Sequence, residues 1–117
     1  MNKDFEYWKK KCKPFTSSAQ IECNIILTPD EFKTLSMGHV PEEMEDRWLM
    51  YCDDDVINYY RSWTGIKIFA GHFRRENDAY VIYSLDVNNN KDEYRNPDIE
   101  DSLRTFKDLI NRDSKKA

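Results

Sequence analysis

Glycine and proline are scarce in this chain, with three Gly and four Pro among 117 residues. That scarcity argues against a low-complexity chain. Cysteine is equally thin. Cys12, Cys23 and Cys52 are odd in number and show no C-x-x-C spacing, which suggests neither a disulfide framework nor a zinc site. No apolar run approaches the ~18 residues of a membrane span, and no apolar h-region follows Met1. A cytoplasmic setting without membrane contact is therefore expected. A basic excess is missing too. The 18 Lys and Arg against 22 Asp and Glu leave a net charge of −4, which disfavours general nucleic-acid binding. The runs Lys9-Lys10-Lys11-Lys13 and Lys115-Lys116 read as solvated ends.

What the chain does have is aromatic weight: three Trp, seven Tyr and six Phe, 14% of the residues. Each large aromatic buries roughly 150–250 Å², so a few can anchor the single domain, residues 1–117, that this length supports. Residues 2–13 suit a helix with Phe5, Trp8 and Cys12 on one side, ended by Pro14. Ile21 to Leu27 alternate as a strand. Thr28-Pro29-Asp30-Glu31 is a capping box with Pro at the first helical position, opening a short helix through Phe32 and Leu35. Arg47–Cys52, Val56–Trp63, Ile66–Phe73 and Ala79–Val87 read as four further strands, with turns at Asp53-Asp54-Asp55, at Thr64-Gly65 and over 74–78. Asp98 starts a last helix whose Ile99, Leu103, Phe106 and Ile110 form one stripe. The expected class is α+β: an antiparallel four- to five-stranded meander with helices mainly on one face, in the order α-β-α-β-β-β-β-α. Several strands are apolar on both faces, so the second face also requires a cover: a helix, a partner or a ligand.

The densest chemistry lies between Met44 and Gly65. Along Val56–Trp63, one face carries Ile57, Tyr59, Arg61 and Trp63. An arginine between aromatic rings suits an anion or a flat ring, through bidentate hydrogen bonds and cation–π stacking. The competing reading pairs Arg61 with Glu45 or Asp46 for structure alone. The candidate ligand-binding set is Arg61, Trp63, Tyr59, Trp48, Glu45 and Asp46. The triple Asp run reads as a solvated turn. Residues 86–92 imitate a calcium loop but place Lys91 where Gly is needed, so no metal and no cofactor is expected. His39 and His72 have no metal-ligand spacing, and a lone histidine such as His72 is a weak candidate for a general base. Catalytic residues cannot be assigned.

Met44-Glu45-Asp46-Arg47-Trp48, then Tyr51, then Arg61-Ser62-Trp63-Thr64-Gly65 and Ile68-Phe69 resemble a family of small, mostly uncharacterised bacterial domains. In these an M-E-D-K/R-W motif precedes R-S-W-T-G. The likeness covers roughly residues 40–73. It implies a bacterial origin and a shared fold rather than an activity, and this chain has Tyr60 where family members often carry His. Such domains occur beside proteins resembling ADP-ribosylglycohydrolases, which implies a nucleotide or ADP-ribosyl ligand. The expectation is thus a small binding module for a phosphate-bearing or nucleotide-like ligand. The alternative is a protein-interaction module, of antitoxin, immunity or homodimer type, using an aromatic sheet face. A small hydrolase or transferase is third.

Overall fold

In the computed structural model, residues 7–41, 46–95 and 98–115 are described. A helical turn at residues 7–9 precedes β1 (Ser18–Leu27), α1 (Pro29–Leu35), β2 (Trp48–Asp53), β3 (Val56–Arg61), β4 (Lys67–Glu76), β5 (Ala79–Asn88) and α2 (Ile99–Ser114). The strands form one antiparallel sheet in the order β1-β5-β4-β3-β2. This is the expected α+β order, a meander from β2 to β5 with β1 added beside β5. Among the described residues no helix is long and apolar enough to cross a membrane.

Local chemistry accounts for the boundaries. Thr28 Oγ1 accepts from the Glu31 N–H at 3.1 Å while Glu31 Oε1 accepts from the Thr28 N–H at 2.9 Å, so α1 begins in a reciprocal cap. Asp98 caps α2 by accepting from the N–H groups of Glu100 and Asp101. The β2–β3 turn uses Asp54 and Asp55, both at positive φ, the backbone a two-residue hairpin turn requires. β4 runs on to Glu76, beyond the expected Phe73, because Arg74, Arg75 and Glu76 pair with Val81, Tyr80 and Ala79.

One face of the sheet carries Met50, Ile57, Tyr59, Phe69, Leu85 and Val87 beneath α2, which buries Phe106, Leu109 and Ile110 against it. Each such aliphatic or aromatic burial contributes about 1.5–3 kcal/mol. Phe106 lies directly over Gly71, the one place on β4 where a helix-borne ring meets bare backbone. The opposite face is covered in part by the chain's own amino-terminal segment. Lys9 Nζ stands 4.7 Å from the centre of the Tyr51 ring, Lys67 Nζ stands 5.1 Å from that of Phe15, and Lys13 N–H donates to the Gly65 carbonyl at 2.8 Å.

Candidate functional site

The turn after β3 is built from backbone bonds. Gly65 N–H donates to the Arg61 carbonyl at 2.9 Å, Arg61 N–H to the Ile66 carbonyl at 2.8 Å, and Ser62 N–H to the Arg47 carbonyl at 2.9 Å. Gly65 has φ +74, and a Cβ there would fall 1.8 Å from the Lys11 carbonyl oxygen. The glycine therefore permits both the left-handed backbone and the docking of the amino-terminal segment. Gly65→Ala is expected to lower stability by about 2 kcal/mol or more, from the left-handed strain plus that contact. Urea unfolding read by tryptophan fluorescence checks this.

Beside that turn, Arg47, Arg61, Ser62, Trp63 and Thr64 form one wall of an open groove of about 450 Å³, with Asp92 and Glu93 opposite. Arg61 and Trp48 are direct cross-strand partners, and the guanidinium lies 4.5 Å from the centre of the indole. Among the described residues Arg61 makes no ion pair and its side chain makes no hydrogen bond; Tyr94 is its second ring neighbour, at 6.0 Å. Burial first, and then the like charge of Arg47, press its pKa below the ordinary arginine value, while Tyr94 opposes them. Trp63, on the rim, is 58% exposed.

The rest of the expected set does not gather there. Tyr59 shares a sheet face with Arg61, but it is fully buried under α2 and its hydroxyl donates to Asp113 Oδ2 at 2.6 Å, so no ligand can reach it. Trp48 is half-buried, stacked near Phe69, and offers Arg61 a platform rather than a ligand a surface. Asp46 does not answer Arg61. Its Oδ2 lies 2.7 Å from His39 Nε2, and its Oδ1 accepts from its neighbour Trp48 N–H at 3.3 Å. Glu45 lies outside the described residues. The sheet face that carries Tyr59 and Phe69 is occupied by α2.

A cleft of about 810 Å³ adjoins the groove across Asp92, walled by Val87, Tyr94, Ile99 and Ser102. It is larger, and Lys91 and Arg95 line it beside Asn88 and Asn89, whereas the groove brings together Arg47, Arg61 and the exposed Trp63. The chain matches no known protein family, curated protein or solved structure.

Three side-chain pairings also form that the sequence did not reveal. His39 sits between Asp46 and, at 4.0 Å, Asp113. On the sheet face away from α2, His72 Nε2 lies 2.8 Å from Asp86 Oδ2, and the Tyr51 and Tyr60 hydroxyls meet at 3.1 Å. Burial, chiefly, raises the pKa of both phenols. Burial likewise raises the Cys52 thiol to about 12, which makes it an inert core group rather than a nucleophile.

Proposed function

We propose that the protein binds a phosphate-bearing ligand with a flat ring, nucleotide-like in character, in the groove between Arg61 and Asp92. The observation that carries this reading is the half-buried Arg61 guanidinium, stacked on Trp48 and lacking a carboxylate partner among the described residues. A desolvated cation without a counter-ion is costly, and a ligand anion would offset that cost. Arg47 would add a second positive charge. Trp63 would stack on the ring, and the free oxygen of Glu93, whose other oxygen accepts from Asn88 at 2.9 Å, would take a ribose hydroxyl. That last role moves from the expected Glu45 or Asp46 to the opposite wall. The motif resemblance to domains found beside ADP-ribosylglycohydrolase-like proteins favours an ADP-ribosyl group within this class.

Thermal-shift and calorimetric titrations with nucleotides, ADP-ribose and the corresponding nucleosides test it. The phosphate-bearing compounds are expected to stabilise the protein, and the nucleosides to do so far less. Arg61→Met is expected to weaken binding by about ten- to a hundredfold, the loss of a charged hydrogen-bonding pair. Absence of stabilisation by every one of them at millimolar concentration would remove the proposal.

The interaction-module alternative keeps one observation. β1 is an outer strand of ten residues, and among the described residues none pairs along its far edge. Sedimentation distinguishes the two: a dimer abolished by Ile21→Pro would favour β1 pairing, and a monomer the groove.

A further inference from the structure

We infer that the sheet face opposite α2 holds a second site, for a small monoanionic carboxylate that carries a neighbouring hydroxyl group. The strand register lines up Gln20, Asp86, Ala70, Asn58 and Tyr51 in one row across the sheet. Ala70 is the smallest of them and leaves a depression of about 290 Å³ over the centre of β4. Lys67 stands on one side of this floor and His72 on the other, with Asp86 and Tyr60 in the walls.

Two irregularities bring these groups to one face. Tyr59 pairs with Phe69 but Tyr60 with Lys67, so Ile68 is an extra residue in β4. Phe73 pairs with Ile82 but His72 with Ser84, so Tyr83 is an extra residue in β5. Without the first bulge Lys67 would share the helix-covered face with Phe69. Without the second, Asp86 would stand opposite Phe69 on that same face. Bulges re-aim side chains in this way beside binding sites.

The polar groups so gathered have open valences. Lys67 makes no hydrogen bond or ion pair among the described residues through its ammonium group, which lies over the rings of Phe15 and Tyr60 at 5.1 and 5.8 Å. Rings hold a cation but do not fill its N–H directions. Burial lowers the Lys67 pKa, and the nearby Asp86, Cys12 and Asp53 oppose that shift. His72 Nε2 is committed to Asp86, while Nδ1 has no partner among the described residues. In the neutral ring with Nε2–H donated, Nδ1 is an acceptor.

A carboxylate on Lys67 and a hydroxyl donating to His72 Nδ1 satisfy both ends. The volume, at the low end for ligand sites, admits a molecule of a few heavy atoms. Asp53 and Asp54 on the rim and Asp86 in the wall select against a phosphate dianion, so this site differs in chemistry from the arginine groove.

Titration of the full-length protein with glycolate, acetate and inorganic phosphate at constant ionic strength, read by the His72 imidazole and Lys67 side-chain NMR signals, tests this. Saturable shifts are expected with glycolate at millimolar concentration, several-fold weaker binding with acetate, and none with phosphate. Lys67→Met, which keeps the apolar stem, is expected to weaken glycolate roughly tenfold or more. His72→Asn should erase the preference for glycolate over acetate, and Arg61→Met should leave both affinities unchanged. The inference is overturned by an absence of saturable shift, by phosphate binding as tightly as glycolate, or by unaltered glycolate binding in a folded Lys67→Met or Lys67→Gln protein.

Discussion

Phe106→Ala is expected to destabilise the fold by about 3–5 kcal/mol, a large share of what a domain of this size possesses. The ring is fully buried, meets Tyr59 and Phe69 edge-on with centroids 5.9 and 5.6 Å away, and presses on the Gly71 backbone. Truncation leaves a void in the middle of the sheet–helix interface, where the rigid strands β3, β4 and β5 cannot collapse. The same contact makes the reverse change unfavourable. A Cβ at Gly71 would lie 2.5 Å from Phe106 Cζ, so Gly71→Ala forces the ring or the helix outward and costs about 1–3 kcal/mol. The two positions share one space, and their effects should not add. Phe106→Leu in the Gly71→Ala background should recover part of the loss, giving a coupling energy of about 1 kcal/mol in a double-mutant cycle. Urea denaturation of the four proteins measures it, and strict additivity would show that the ring and the glycine do not meet.

The pieces of this interface that could be read from sequence are those set by local chemistry. The capping box at Thr28, Asp98 as the start of α2, the Phe106–Ile110 stripe and the glycine at position 65 all depend on near neighbours, and all appear as expected. The pairing of Arg61 with Trp48 departs from the sequence reading: the turn is the two residues Asp54-Asp55 and not the run of three, because Asp53 pairs with Val56, and this fixes the register. What was not legible is whatever the third dimension decides. Tyr59 and Arg61 share a strand face, yet α2 covers the first and leaves the second at the rim, and no pattern along β3 marks where that cover stops. His39 and Asp46 meet although they lie seven residues apart with no apolar periodicity in the sequence between them. His72 and Asp86 are 14 residues apart and face one another only through the bulge at Tyr83. Strict alternation puts Lys67 and Asp86 on the wrong side, since a single inserted residue exchanges the faces of all that follows.

Asp113→Ala is expected to cost about 3 kcal/mol, more than any change in the exposed groove. Asp113 is 1% exposed and joins the carboxyl-terminal turn of α2 to the sheet through Tyr59. Removing it strands a buried phenol hydroxyl, which alone costs about 1–3 kcal/mol, and removes a charge-assisted bond. Arg112 Nε donates to the same carboxylate at 2.9 Å, but its side chain is 40% exposed, so its orphaned charge returns to water at little cost. Tyr59→Phe is the milder probe and gives a pH signature. Burial first, then the adjacent Asp113, hold the Tyr59 pKa well above the ordinary value of about 10. The folded state thus binds this proton more tightly than the unfolded chain. The stabilisation is complete below about pH 10 and is lost as pH rises through the folded-state value. Tyr59→Phe lacks that titration, whereas the phenols and thiols that do not interact with Tyr59 are common to both proteins. The stability gap between wild type and Tyr59→Phe, about 1.5–3 kcal/mol near neutrality, should therefore narrow as pH is raised above about 10. Urea unfolding at about pH 8 and about pH 11 measures that gap directly. A gap of constant width would mean that the Tyr59 proton is held no more tightly in the folded protein, and that the hydroxyl's contribution is packing alone.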